Sequence, residues 1–130
     1  MDGGVFIVED DEDIRADLTA ILRVKGFTVE DAANGREALV RLQAGARPCL
    51  MVLDLMMPVM NGWELRVAMR ADAALREIPV VVVSGAGRIA ADEEAALEPA
   101  AVLVKPFELS ELLDLVARYC PRQQGSPARQ

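Results

Sequence analysis

The sequence predicts an α/β protein in which five parallel strands alternate with helices in a doubly wound (βα)5 arrangement. Five short, strand-like apolar segments recur along the 130 residues, and amphipathic stretches with helical spacing separate them. Most of these segments are almost continuously apolar, which is typical of parallel strands that helices cover on both faces. We therefore expect a central parallel sheet with helices on both sides and right-handed connections.

The five strands are predicted in order along the chain. They cover residues 5–8, 27–30, 50–53, 79–83 and 102–104. The second segment is the least apolar of the five, so it is expected at an edge of the sheet.

Helices are predicted between these strands because apolar residues recur there at helical spacing. The first three carry Ile14, Leu18, Ile21 and Leu22, then Ala38, Leu39 and Leu42, then Leu65, Ala68 and Met69. Asn34 and Asn61 each precede a glutamate by three positions, which predicts helix N-caps at both. The helix over 88–97 is rich in alanine and is expected to be loosely held, whereas the last helix, over 108–119, ends before Pro121.

Length and composition favour one folded domain over residues 1–120, with 121–130 as a flexible tail or the start of a linker. The net charge of −7 argues against direct binding to nucleic acid or to an anionic membrane. No apolar run is long enough to span a membrane, and the first residues lack the pattern of a signal peptide. We expect a cytoplasmic protein.

The two cysteines and the absence of histidine limit the metal ligands and catalytic groups that this sequence can supply. Cys49 and Cys120 lack metal-ligand spacing and are predicted to be buried or reduced thiols rather than a disulfide. The sequence has no histidine, which removes the commonest general base and the commonest metal ligand.

Polar side chains follow four of the predicted strands. Glu9, Asp10 and Asp11 follow the first, Asp54 the third, Ser84 and Gly85 the fourth, and Lys105 and Pro106 the fifth. In doubly wound sheets, ligands bind beyond the carboxyl ends of the strands. Two carboxylates about 4 Å apart repel by roughly 4 kcal/mol at an effective dielectric near 20, so such a cluster favours a cation. Oxygen ligands of this kind suit Mg²⁺.

Each of these residues also has a purely structural interpretation. The acidic run can favour a helix N-terminus through the helix dipole, Asp54 can cap a turn, Ser84 can bond to nearby backbone, and Lys105 can be a solvated charge. Their joint occurrence at four strand ends favours a functional site. Asp11 is left open between the pocket and the start of the first helix.

Between about residue 5 and residue 119, the chain resembles the receiver domains of bacterial two-component response regulators. The matching motifs are Phe-Ile-Val-Glu-Asp-Asp at 6–11, Val-Leu-Asp-Leu-Met-Met-Pro-Val-Met-Asn-Gly at 52–62, Val-Val-Ser-Gly-Ala at 82–86 and Val-Lys-Pro-Phe at 104–107. This resemblance implies a flavodoxin-like fold with strand order 2-1-3-4-5. It also implies a phosphorylation-dependent switch rather than an enzyme in the usual sense, with Mg²⁺ as cofactor and Mn²⁺ as a substitute.

The resemblance assigns roles to individual residues. Asp54 would be the phosphoacceptor, assisted by Lys105 and Ser84, and a histidine kinase or histidine phosphotransfer protein would be the donor. The metal ligands would be Asp10, Asp54 and the backbone carbonyl of Met56, with Glu9 acting through water. Structural roles would fall to Gly85, to Pro106 after a cis peptide bond, and to Pro58 and Gly62 in the loop after Asp54.

Several positions depart from the family pattern. Val102 replaces the aromatic residue that usually reports phosphorylation, and Glu98 to Ala101 replace residues common at the dimer face of related regulators. We therefore expect a monomer or weak dimer that acts through a downstream protein target. Met56 and Ala86 occupy two flanking positions where polar residues often help water attack, so the resemblance implies a long-lived phosphoryl group.

Two other classes compete with this interpretation. A pseudo-receiver would keep the fold as an interaction module without phosphorylation, and two features favour it: Val102 and the loosely held helix over 88–97. A small Mg²⁺ phosphotransferase of the haloacid dehalogenase type also uses a strand-end aspartate, but it needs a second acid two residues later, where this chain has Met56.

Overall fold

The computed structural model describes residues 3–85 and 89–121, and these residues form five strands and six helices. The elements, in chain order, are β1 (Val5–Val8), α1 (Glu12–Val24), β2 (Val29–Ala32), α2 (Gly35–Gln43), β3 (Leu50–Asp54), α3 (Gly62–Arg70), α4 (Ala73–Arg76), β4 (Val80–Ser84), α5 (Ala91–Leu97), β5 (Ala101–Val104) and α6 (Leu109–Tyr119).

All the strands pair in parallel in the order β2-β1-β3-β4-β5, which confirms the predicted fold class and strand order. The register aligns the carboxyl ends of the central strands. Val8 lies opposite Leu53, Asp54 opposite Val83, and Ser84 opposite Val104. The residues that follow these strands therefore emerge along one edge of the sheet.

Helices cover both faces of the sheet because successive strand residues point to opposite sides. On one face, Phe6, Met51, Leu53 and Val82 pack with α2, α3 and α5 in one buried cluster. On the other, Val5, Ile7, Val52 and Val83 pack with α1 and α6. Each fully buried Leu, Ile or Phe in these layers contributes about 1.5–3 kcal/mol. Both edge strands contain partly buried residues, as expected where neighbours are missing.

The N-caps agree with the sequence prediction. The side chain of Asn61 accepts a hydrogen bond from the backbone N–H of Glu64, and the Glu64 carboxylate accepts one from the N–H of Asn61. Asn34 caps α2 through the N–H of Glu37, whose own carboxylate instead accepts from the N–H of Ala33.

Some boundaries differ from the prediction. β2 begins two residues later than expected because the N–H of Phe27 bonds to the carbonyl of Leu22 and closes α1. The short helix α4 was not predicted; Asp72 caps it by accepting from the N–H of Ala74. α5 begins at Ala91 rather than at Arg88, which lies outside the described residues, as does the tail over 122–130.

The prediction of two unpaired thiols is wrong. Cys49 and Cys120 form a disulfide with their Cα atoms 5.5 Å apart. Cys49 directly precedes β3 and Cys120 directly follows α6. The pairing left no sequence signal because the cysteines are 71 residues apart and meet only once α6 has packed on the sheet.

In the part of the chain that the structure describes, no helix combines the length and apolar character that crossing a membrane requires.

Candidate metal-binding site

Three carboxylates meet beyond the carboxyl ends of β1 and β3. Glu9 and Asp10 follow β1, and Asp54 is the last residue of β3. One carboxylate oxygen from each lies within 4.8 Å of the others. The sheet buries Glu9 and Asp54 to about 5% and 6% exposure, whereas Asp10 faces solvent. The cluster is thus a partly open pocket with two buried acids at its base.

Lys105 is the cation beside this cluster. Its Nζ lies 3.6 Å from Oε1 of Glu9 and 3.8 Å from Oδ2 of Asp54. Its backbone N–H bonds to the carbonyl of Ser84, the last residue of β4, and the peptide bond to Pro106 is cis, as the family resemblance implied. The ammonium thus contacts the two buried carboxylates, and its single charge does not balance the charges of both when they are ionised.

Burial and the neighbouring carboxylate both affect the pKa of Glu9. Burial, together with the charge and hydrogen bond of Asp54, raises the pKa of Glu9 from 4.5 to about 7. The backbone N–H of Asp11, which donates to Oε2 of Glu9 at 3.0 Å, and the ammonium of Lys105 act in the opposite direction. Without a cation, the site therefore holds its negative charge at a free-energy cost.

Asp11 starts the first helix. Its Oδ1 accepts hydrogen bonds of 3.0 Å from the N–H groups of Asp13 and Ile14, which makes it the N-cap of α1. Of the two roles that the sequence left open for Asp11, the structure supports the one at the start of the first helix.

The loop between β3 and α3 is held close to Asp54. Oδ1 of Asp54 accepts from the N–H of Met56, and the N–H of Gly62 bonds to the carbonyl of Leu55. A Cβ at Gly62 would lie 2.8 Å from the carbonyl oxygen of Asp54, so only glycine fits there. Pro58 is exposed and its carbonyl accepts from the N–H of Met60.

Gly35 is a second glycine that this loop requires, and sequence reasoning missed it. Its N–H donates to the carbonyl of Met60 at 2.9 Å, and a Cβ there would lie 2.6 Å from the same oxygen. The Asn-Gly pair at the start of α2 was a signal for a cap, but its contact with Met60 joins residues distant in sequence. Gly35 thus fixes α2 against the loop that follows Asp54.

The opposite wall contains Ser84 and Gly85. Ser84 is buried, and an opening of about 170 Å³ lies beside it, lined in part by Met56 and Trp63. A Cβ at Gly85 would lie 3.8 Å from Cδ of Lys105, which is an ordinary contact, so space alone does not require glycine there. Ala86 lies outside the described residues.

Val102 lies on β5, facing α5. A groove of about 230 Å³, lined by Ile89, Glu94, Val102 and Val104, separates the two elements at this point. Valine at 102 thus leaves open space on the side of the sheet where the family pattern has an aromatic side chain.

The chemistry of the pocket fits a hard divalent cation. Its converging ligand atoms are carboxylate oxygens, and two of the three acids are buried together. A cation there would favour the ionised form of Glu9, whose pKa is raised mainly by burial and also by the neighbouring Asp54. Mg²⁺ matches this donor set, and Mn²⁺ accepts the same ligands.

A doubly wound parallel sheet with an acidic, lysine-flanked pocket at its strand ends defines a class of phosphoacceptor signalling modules. Comparison with protein families gives the particular member: the model of the response regulator receiver domain matches residues 5–117. The chain belongs to this family and is a receiver domain of two-component signalling.

Its relatives include longer proteins and solved receiver structures. The chain is 41% identical over 126 residues to the transcriptional regulatory protein PrrA of Mycobacterium tuberculosis, covering 95% of this chain and 52% of PrrA. It therefore spans about half the length of that relative. CheY4, a chemotaxis response regulator of Vibrio cholerae, superposes with a TM-score of 0.78 at 32% identity, covering 92% of this chain and 99% of that chain. The response regulator TrrA of Thermotoga maritima, solved in complex with Mg(2+)-BeF, gives a TM-score of 0.76 at 26% identity, with 88% and 96% covered.

Proposed function

We propose that this receiver domain accepts a phosphoryl group on Asp54 from a histidine kinase or histidine phosphotransfer protein, in a reaction that requires Mg²⁺. The observation that carries the proposal is the placement of Asp54 between two further carboxylates and the ammonium of Lys105. This sequence has no histidine, so the phosphoryl group would come from a histidine outside these 130 residues or from a small acyl phosphate.

In the transfer step, a carboxylate oxygen of Asp54 attacks phosphorus and forms a P–O bond. The P–N bond to the donor imidazole breaks, and its electron pair returns to the imidazole nitrogen. Asp10, Asp54 and the backbone carbonyl of Met56 would hold the metal, and Glu9 would act through water. The bound Mg²⁺ would supply positive charge to the transferring oxygens.

Lys105 and Ser84 complete the proposed chemistry. The ammonium of Lys105, already within 4 Å of Asp54, would balance the charge of a phosphoryl oxygen. Ser84, buried at the end of the adjacent strand, would hydrogen-bond another oxygen. Phosphorylation would add about 1.5 to 2 negative charges here. This charge would shift the equilibrium between two conformations of the domain that present different surfaces to other proteins.

The output would be a change in protein contacts. PrrA is a transcriptional regulatory protein by name, and this chain matches only about half of it. If a similar segment follows in the whole protein, DNA binding belongs to that segment, because the receiver carries a net charge of −7.

A pseudo-receiver that is never phosphorylated is the second candidate. The open groove beside Val102 favours it, because the aromatic that usually reports phosphorylation is missing. The gathering of Glu9, Asp54 and Lys105 opposes it, since an unused site has no need for two buried acids.

Phosphorylation with a small donor separates the two candidates. The protein is incubated with acetyl phosphate and Mg²⁺, and intact mass is measured for wild type and Asp54→Asn. We expect one added phosphoryl group in wild type and none in the variant or after chelation of Mg²⁺. An unchanged wild-type mass would favour the pseudo-receiver, and continuous consumption of the donor would favour the Mg²⁺ phosphotransferase.

A further inference from the structure

We infer that Arg15 on α1 is a positioning residue for the metal site, and this inference rests on the function proposed above. Nη1 of Arg15 donates a hydrogen bond of 2.8 Å to the backbone carbonyl of Glu9. That carbonyl belongs to the peptide bond that joins Glu9 to Asp10. A donor fixed on this oxygen restrains the peptide plane from which both carboxylates extend.

The other hydrogen bonds that the structure describes around Glu9 restrain different groups from the carbonyl that Arg15 contacts. The N–H of Glu9 continues the sheet by bonding to the carbonyl of Ala32, and the Glu9 carboxylate accepts from the N–H of Asp11. These bonds hold the start of the segment and one side chain. Arg15, in the first turn of a packed helix, bonds directly to the carbonyl of the Glu9–Asp10 peptide.

Arg15 is itself held in place. Its side chain is only 17% exposed, and its Nε lies 3.9 Å from Oδ2 of Asp31 at the end of β2. The same Asp31 oxygen accepts from the hydroxyl of the buried Thr19 at 3.4 Å. The guanidinium is therefore positioned between the first strand and its edge neighbour, which suits a planar group with several donors.

The charge of Arg15 and its position have opposite effects on metal binding. A positive charge near a cation site opposes Mg²⁺ through space, so its removal would tighten binding if charge were its whole role. Loss of the hydrogen bond would instead let the Glu9–Asp10 peptide reorient and would weaken binding. The direction of the change in affinity thus decides between the two.

Arg23 offers a matched control on the same helix. Its guanidinium donates at 3.0 Å to the backbone carbonyl of Val29, also six residues away in sequence, but at the opposite end of α1 from the acidic pocket. Replacement of either arginine by alanine removes one positive charge and one hydrogen bond to a backbone carbonyl. Only the Arg15 bond adjoins the candidate ligands.

The test is a Mg²⁺ titration of the wild type, Arg15→Ala, Arg15→Lys and Arg23→Ala. The readouts are fluorescence of the single tryptophan, Trp63, which lines the opening beside Ser84, and the rise in melting temperature with Mg²⁺. We expect Arg15→Ala to raise the Kd for Mg²⁺ roughly tenfold, as for other residues that orient metal ligands. Arg23→Ala should stay within about twofold of wild type, and Arg15→Lys, which keeps the charge, should fall between.

Unchanged or tighter binding by Arg15→Ala would overturn the inference while leaving the proposed function intact. Equal weakening by both alanine variants would also overturn it, since that would reflect a general loosening of α1. If Arg15→Ala does not fold, as judged by its melting in Mg²⁺-free buffer, Arg15→Lys decides: wild-type affinity there would contradict a role for the guanidinium geometry. A wild type that does not respond to Mg²⁺ would overturn the metal site itself, and the inference with it.

Discussion

Glu9 is buried and also lies beside another acid, and both conditions disfavour its ionised form when no metal is bound. Its carboxyl group is buried at the end of β1, yet it lies beside Asp54, a second buried acid. Burial and this neighbour raise its pKa to about 7. The folded protein therefore binds a proton at Glu9 more tightly than the unfolded chain, in which its pKa is near 4.5.

The raised pKa of Glu9 predicts how stability depends on pH in Mg²⁺-free buffer. Between pH 4.5 and about 7, the folded state holds more protons at Glu9 than the unfolded state, so the free energy of unfolding should decrease as pH rises. Glu9→Gln, which cannot ionise, should lose this contribution and become progressively more stable than wild type across the window. Urea denaturation of both proteins at several pH values measures the difference.

Mg²⁺ provides the control, because a bound cation favours the ionised carboxylate. Saturating Mg²⁺ should reduce the difference in pH dependence between wild type and Glu9→Gln. A constant difference between the two proteins from acid to neutral pH, with no metal present, would contradict the raised pKa.

At the scale of elements, α5 is held at its C-terminal end by arginines from α3 and α4. Arg66 is buried, and its Nε donates to the carbonyl of Leu97 at 2.8 Å. Arg70 bonds to the carbonyl of Ala96, and both Arg70 and Arg76 pair with the carboxylate of Glu98. Guanidinium groups satisfy the free carbonyls of a helix end and match its negative dipole.

These contacts also explain an unusual backbone conformation. Glu98 has a φ of 48°, in the left-handed region that glycine usually occupies at helix ends. Although burial opposes ionisation, Arg76, Arg70 and Arg66 more than offset it and lower the pKa of Glu98. The ion pairs thus favour a residue other than glycine at this position.

Arg66→Met should destabilise the domain by about 2 kcal/mol. Methionine has a similar length and suits the apolar contacts around Met69, but it leaves the buried carbonyl of Leu97 without its donor. Val67→Ala is the matched control, because Val67 is the next residue of α3 and is 72% exposed; its effect should stay within about 0.5 kcal/mol. Urea denaturation measures both. Equal stability of Arg66→Met and wild type would mean that the desolvation of Arg66 cancels its hydrogen bonds.

The sequence predicted the elements well where the signal is local. The Asn61–Glu64 cap and the apolar segments of β1, β3 and β4 depend on residues a few positions apart, and they occur nearly where expected. Arg66 gave no such signal, because a charged residue on a helix usually faces solvent. Its burial depends on the end of α5, about thirty residues further on.

The same distinction holds for the site. Glu9, Asp54, Ser84 and Lys105 could be predicted to converge, since parallel strands place their carboxyl ends at one edge. Gly35 and Arg15 could not, because their contacts are with backbone carbonyls that no sequence pattern marks. The sequence thus predicted the charged and polar side chains of the candidate site and missed the residues that contact the backbone around them.

At the scale of the whole molecule, the disulfide joins two cysteines that are far apart in the sequence. Cys49 precedes the central strand β3, and Cys120 follows the last helix. Cys120 is buried with Val116 and Leu112 in the layer beneath α6, whereas Cys49 is partly exposed. The bond therefore fixes the end of α6, where the chain leaves the described fold, to the centre of the sheet.

Reduction of this bond should lower the melting temperature. A crosslink between residues 71 apart limits the unfolded chain and contributes roughly 4 kcal/mol in the loop-entropy account, so a decrease of about 15 °C is expected. Calorimetry with and without dithiothreitol measures it, with Cys49→Ser/Cys120→Ser as the control that should melt at the lower temperature under both conditions. Alkylation first checks that the two cysteines are unreactive in the oxidised sample and react in the reduced one. If wild type then melts at the same temperature with and without reductant, this role is contradicted. In a reducing compartment the form with two free thiols would predominate. The packing of Cys120 against Val116 would then hold α6 in place without the covalent bond.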